Sequence, residues 1–154
     1  MDPIDRTKFF AAGIPSWVVT IALTKGEEGK LGFIYNPNSQ QLYSAIQGEG
    51  AYLNNERIEL NKELDPAKLQ VAIDTFQKFD DEDFYQEILT LNNKLVDTFY
   101  RVRALGTGAL SLAWLSQGFF GAYVDYARKT SKQIDVVGGL LIASEAGAIE
   151  EKWE

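Results

Sequence analysis

The chain has 154 residues, 15 basic and 22 acidic, giving a net charge of -7, and it contains neither cysteine nor histidine. Disulfides, thiolate nucleophiles, cysteine-based zinc sites and imidazole bases are therefore excluded, which leaves carboxylates, hydroxyls, lysine, arginine, backbone dipoles and hard cations such as Mg²⁺, Ca²⁺ or Mn²⁺. The acidic balance argues against a nonspecific nucleic-acid binder though not against a small phosphorylated substrate, and no apolar run approaches the roughly 20 residues of a membrane span, so a soluble cytoplasmic protein is expected.

Strands come first. Ser16 to Leu23 is β-branched and aromatic, Lys25 to Lys30 is a loop of moderate length, and Leu31 to Tyr35 returns as the second strand of a hairpin. Asn36 to Ser39 is a turn, Gln41 to Gln47 a third strand, and Gly48-Glu49-Gly50 breaks the chain before Ala51-Tyr52-Leu53. Asn54-Asn55-Glu56 is another tight turn leading into Arg57 to Leu60, so the first third reads as an antiparallel meander. Beyond Pro66, Leu69 to Thr75 is a predicted strand and Asp80-Asp81-Glu82-Asp83 a solvated, acidic helix start. Phe84, Ile88, Leu91 and Leu95 then share one face of an amphipathic helix. Thr98 to Arg103 alternates like a strand, Thr107 to Gln117 is a helix closed by Gly118, Phe119 to Tyr126 a strand, and Ile134 to Ala146 a helix ended by Gly147. Trp17, Trp114 and the many phenylalanines are expected in the core. With no repeat or linker in view, the chain reads as one α+β domain.

Asp2-Pro3-Ile4-Asp5-Arg6-Thr7 is the first segment with chemical potential. Two carboxylates three residues apart, stiffened by the proline between them, can converge on one cation, and the Ile4 carbonyl can add a third oxygen. If Arg6 and Thr7 open a helix, their free N–H groups can hold a phosphate, while the Thr7 hydroxyl orients a water. On spacing alone, a solvated terminal turn with an aspartate cap is the commoner meaning of such a segment. Asp135, opening an apolar helix, reads by itself as a cap or dipole partner. Gly106-Thr107-Gly108-Ala109 joins a strand to a helix; its glycines suit close approach by a ligand and equally suit tight packing. Arg128 to Lys132 is basic but short and reads as a surface loop.

Together these segments resemble the inositol monophosphatase family. Asp2-Pro3-Ile4-Asp5-x-Thr7 is similar to its Asp-Pro-Ile/Leu-Asp-Gly-Thr signature. Gly13-Ile14-Pro15, then Gly32-Phe33-Ile34-Tyr35-Asn36-Pro37, is similar to its next block, and Gly48 to Asn54 to its Gly-x-Gly-Ala-(aromatic)-x-Asn turn. Leu105 to Leu110 resembles its Gly-Ser-Ala-Ala-Leu segment, and Asp135 with Glu145-Ala146-Gly147 its Trp-Asp-x-Ala-Ala-Gly…Glu-Ala-Gly block. Order and spacing agree over nearly the whole chain.

The resemblance implies a layered α/β/α/β/α fold and Mg²⁺-dependent hydrolysis of a small phosphate monoester such as an inositol monophosphate. Thr7-Lys8 is also similar to the bisphosphate-nucleotidase branch. Carried over by position, Asp2, the Ile4 carbonyl, Asp5 and Asp135 are metal ligands, and Thr7 with Asp2 activates the attacking water. The N–H groups of Arg6 and Thr7 receive the phosphate, and Gly106, Thr107, Gly108 and Ala109 line the substrate pocket. Three positions depart from the pattern. The signature glycine is Arg6, whose side chain could block the phosphate seat or swing out of it. Ile134 stands for a tryptophan, and Arg128 for a substrate-contacting glutamate. The family's upstream glutamate ligand would precede Met1, and its last strand and helix would follow Glu154. A partial member is therefore expected, with hydrolysis impaired or replaced by association, and with a homodimer or other self-association through apolar faces that lack their usual cover.

Overall fold

The alternating residues of the first third pair into one sheet because each strand has a side that can be buried. The computed structural model describes residues 1–60, 65–127 and 133–151, the side chains of 133–135 excepted. Six antiparallel strands lie side by side in sequence order: β1 (Asp2–Asp5), β2 (Val18–Lys25), β3 (Glu28–Asn36), β4 (Gln41–Ile46), β5 (Gly50–Leu53) and β6 (Glu56–Ile58). The expected meander is present, with β1 added at its edge and a short helix, α1 (Thr7–Ala11), leading out of it. After β6 come β7 (Gln70–Asp74), α2 (Glu82–Thr98), β8 (Arg101–Ala104), α3 (Gly108–Ser116), β9 (Ala122–Asp125) and α4 (Gln133–Glu145). The last three strands form a parallel sheet in the order β8-β7-β9.

Two apolar clusters hold α3 and α4 between the sheets. Val18, Ile34, Tyr43 and Ala45 from the six-stranded sheet meet Leu110, Ala113 and Ile142. On the opposite side Ala72 of β7 meets Leu112, Leu115 and Ala143. A third cluster packs Phe84, Ile88 and Leu95 of α2 on Val71 and Ile73. The layers are thus six-stranded sheet, α3 with α4, three-stranded sheet, and α2. α4 lies close on the large sheet because Gly32 faces Gly138: a Cβ at Gly32 would stand 2.7 Å from the Gly138 carbonyl oxygen. The C-terminal end of α4 is tied down as well. Glu145 accepts the N–H groups of Gly48 at 2.7 Å and Gly50 at 2.8 Å, so two sequence motifs read separately are one hydrogen-bonded unit.

Several expectations are corrected. The β2–β3 connection is only Gly26-Glu27, with Lys25 paired to Glu28 and a register shift near Leu23/Thr24 absorbing the odd residue; Gly26, at φ +64, supplies the left-handed turn. α2 runs on through Thr98, so β8 begins only at Arg101, and β9 begins at Ala122 because Gly118 ends α3 and leaves Phe119 exposed. Of the aromatic residues assigned to the core, Phe84 and Phe120 are buried, but Trp17 and Trp114 are half-buried and Phe10, Phe76 and Phe119 are exposed. The outward side chains of the large sheet also remain open, from Leu42 at 37% to Leu23 at 61% exposed. Among the described residues no helix is long and apolar enough to cross a membrane.

Candidate active site

The chain turns a corner between β1 and α1. Asp2 Oδ1 accepts the Ile4 N–H at 2.9 Å, a local turn that displaces the β1–β2 register between Asp2 and Asp5. The Thr7 hydroxyl donates to the Ile4 carbonyl at 3.0 Å. Arg6 then takes a left-handed conformation, φ 70 and ψ 51. Glycine adopts it freely, whereas a side chain there costs roughly 1–2 kcal/mol. The Arg6 carbonyl accepts the N–H groups of Phe9 and Phe10 and starts α1. Arg6 and Thr7 do open a helix, but the aspartate cap anticipated from spacing is absent: Arg6 is the capping residue and no side chain caps the helix, while Asp2 bonds within β1.

The Arg6 side chain folds inward, 28% exposed, instead of swinging out to solvent. Its Nη2 reaches both oxygens of Asp74, at 3.1 and 3.3 Å. Asp74 ends β7, is 7% exposed, and also accepts the Thr75 N–H at 2.8 Å. Gly106, at φ +64, leaves room for the guanidinium, since a Cβ there would stand 2.9 Å from Nη2. The Phe9 ring lies below, 5.8 Å from Cζ. One arginine thus links the β1–α1 corner, the end of β7 and the β8–α3 turn.

These three elements and the start of α4 border a half-open cavity of about 320 Å³, with Asp5, Arg6, Thr7, Lys8, Phe9, Asp74, Gly108, Ala109 and Val136 on its walls. Beside it, a Cβ on Gly108 would stand 2.9 Å from the Tyr123 hydroxyl, 3.1 Å from Val136 Cγ1 and 3.4 Å from Asp74 Oδ2. The hydroxyls of Tyr123 and Thr107 are buried, and neither has a hydrogen-bond partner among the described residues. Burial first, then the charges of Asp125 and Asp74, push the Tyr123 phenol far above its usual range, so it stays protonated as a donor. A larger hollow of about 660 Å³ runs along α2 between Asp83 and Lys94, but side chains of a single helix line it and no groups converge there.

Of the residues singled out in the sequence, Asp5, Arg6, Thr7, Gly108 and Ala109 border one cavity. Gly106 receives Arg6, and Thr107 is buried beside Gly108. Asp2 and Ile4 lie behind the corner, not on the cavity wall. Asp135 falls in the first turn of α4, next to Val136, but its side chain is outside those described, and Arg128 lies outside the described residues altogether. Among the described residues no three acidic side chains converge where a cation could sit. Asp74 and Tyr123 were not anticipated. The available signal for Asp74 was a carboxylate ending an apolar strand, at the carboxyl edge of parallel strands where ligands collect.

A sequence profile described as the inositol monophosphatase family matches residues 1–153. A Pyrococcus furiosus protein described as fructose-1,6-bisphosphatase is 34% identical over 149 residues, covering 97% of this chain and 53% of its own. Inositol monophosphatase 1 of Solanum lycopersicum is 32% identical over 152 residues, covering 97% and 54%. A solved Pyrococcus horikoshii structure, described as having similarities to inositol-1 monophosphatase, superposes with a TM-score of 0.76 at 32% identity over 95% of this chain and 52% of its own. The chain thus spans about half the length of the curated relatives it matches. The corner, the Gly-Thr-Gly turn and the clamp of Glu145 on Gly48 and Gly50 lie in the motifs whose order suggested the resemblance, and with the profile matched almost end to end, the chain belongs to the inositol monophosphatase family.

Proposed function

We propose that the cavity between the β1–α1 corner, β7 and α3 is the active site of a Mg²⁺-dependent phosphomonoesterase acting on a small phosphorylated substrate, in the cytoplasm and as one domain. The observation that carries this reading is convergence: Asp5, Arg6, Thr7, Gly108 and Ala109 come from distant parts of the chain to one cavity. Asp2, the Ile4 carbonyl and Asp5 offer only oxygen, the chemistry a hard cation takes, and they fit Mg²⁺ in kind. With Asp135 they would hold the ion, which when bound activates water and stabilises the departing oxygen. Thr7 has given its hydroxyl hydrogen to Ile4, so its oxygen is left as an acceptor that orients an attacking water. Asp2 keeps one carboxylate oxygen clear of the Ile4 N–H. The N–H groups of Arg6 and Thr7 receive the phosphoryl oxygens, and Gly106 to Ala109, with Arg128, border the rest of the substrate.

The test is phosphate release from inositol 1-phosphate and fructose 1,6-bisphosphate as Mg²⁺ is raised. Turnover that requires Mg²⁺ and disappears in Asp5→Asn supports the reading. Absence of turnover at saturating Mg²⁺, with Asp5→Asn indistinguishable from the parent, sinks it.

A second reading, association without catalysis, is favoured by the open outer face of the large sheet, where Ile21, Leu23, Tyr35, Leu42 and Ile46 are exposed together. It predicts a self-associating species in sedimentation that Leu23→Lys with Ile46→Lys converts to monomer. A monodisperse parent monomer excludes it.

A further inference from the structure

Arg6 stands where the family signature has glycine, and three separate features hold it there. The backbone accepts a left-handed conformation. Gly106 yields the space that a Cβ would take, and the buried carboxylate of Asp74 fixes one nitrogen. Strain that persists in this way is over-determined by its surroundings and clusters at functional sites. Nη2 alone meets Asp74, so Nε and Nη1 make no hydrogen bond among the described residues, while Arg6 and Asp74 both border the cavity. The charged side chains on the walls are two acids, Asp5 and Asp74, and two bases, Arg6 and Lys8.

We propose that the Arg6 guanidinium is itself a ligand for the phosphoryl group, a tetrahedral oxyanion, and that Asp74 sets how strongly it binds. Glycine at this position offers backbone N–H alone; Arg6 adds charge-assisted donors from the side chain. Asp74 holds the guanidinium at the wall and at the same time offsets its charge, so the seat is placed but attenuated. The inference rests on the phosphatase reading of the same cavity.

The experiment titrates inorganic phosphate into the intact chain in EDTA, by calorimetry or ³¹P line broadening, for the parent, Asp74→Asn, Arg6→Gln/Asp74→Asn and Arg6→Lys/Asp74→Asn. Arg6→Gln/Asp74→Asn removes both partners of the ion pair and leaves no uncompensated buried charge, which guards against simple unfolding. Asp74→Asn is expected to bind phosphate several-fold tighter than the parent. Adding Arg6→Gln should then weaken binding by about tenfold, with Arg6→Lys recovering part of it. Equal binding by Asp74→Asn and Arg6→Gln/Asp74→Asn, including none by either, overturns the proposal. Because no metal is present, the outcome separates from that of the phosphatase reading. Arg6-dependent phosphate binding without Mg²⁺-dependent turnover removes the enzyme and keeps the seat, and turnover without any Arg6 dependence does the reverse.

Discussion

The two ends of α4 differ in how their polar groups are matched. At the C-terminal end both oxygens of Glu145 are used, one on the Gly48 N–H and one on the Gly50 N–H, and the Leu60 N–H closes on the Ala146 carbonyl at 2.8 Å. At the N-terminal end, beside Val136, the Thr107 and Tyr123 hydroxyls are buried with no hydrogen-bond partner among the described residues, and Arg6 holds a left-handed backbone next to a cavity. Buried polar groups in a settled core find partners, so neighbouring groups that lack them among the described residues set this end apart. One end of the helix is tied to the large sheet, and the other borders the cavity proposed as the ligand site.

Substitutions can break this contrast in order of size. Arg6→Gln leaves Asp74 buried and unpaired and should destabilise the chain by about 3 kcal/mol in urea denaturation, at the low end for buried pairs because Arg6 is itself partly exposed. Adding Asp74→Asn should restore most of that loss. Glu145→Ala removes two charge-assisted bonds and should cost about 2 kcal/mol while leaving phosphate affinity unchanged. A shift in phosphate affinity there would show that the two ends are coupled. Thr107→Val and Tyr123→Phe remove hydroxyls that bond nothing among the described residues, so stability should stay within about 1 kcal/mol of the parent. A loss near the Glu145→Ala value would mean those hydroxyls serve the fold after all.

Alkaline pH provides a further probe with no expected effect near neutrality. Burial pushes the Tyr43 phenol from its ordinary 10 to about 12, with its hydroxyl donating to Gln117 at 2.6 Å. Burial raises Tyr126 as well, and burial with nearby carboxylates raises Tyr123. The folded state therefore holds these protons more tightly than the unfolded chain. Their contribution is complete below pH 10 and falls as pH rises from 10 towards 12. Ring resonances of Tyr43 and Tyr126 and the circular dichroism should change together in that interval; ionisation of either ring near pH 10 with the fold intact would contradict the burial.

Much of the fold was legible because its signals are local. Alternation marked β2 to β5, Asn54-Asn55 marked a tight turn with φ 47 and 70, and Phe84, Ile88 and Leu95 marked the buried stripe of α2. β1 was hidden because Asp2-Pro3-Ile4-Asp5 carries no alternation, and its pairing depends on a distant strand. The phenylalanines misled because apolarity alone does not say which side of a sheet is covered. In the candidate site, the corner and the Gly-Thr-Gly turn announced themselves through glycine, proline and carboxylate spacing. Asp74 did not, because it gains meaning only from Arg6, 68 residues earlier and joined to it by the fold.

The contrast between the two ends is tested most directly by backbone amide NMR of the intact chain titrated with Mg²⁺ and inorganic phosphate together. Shifts should concentrate at Asp5 to Lys8 and Gly106 to Ala109, leaving Gly48 and Gly50 in place. Shifts centred on Gly48 and Gly50, or no saturable shift anywhere, would contradict the assignment of the cavity as the ligand site.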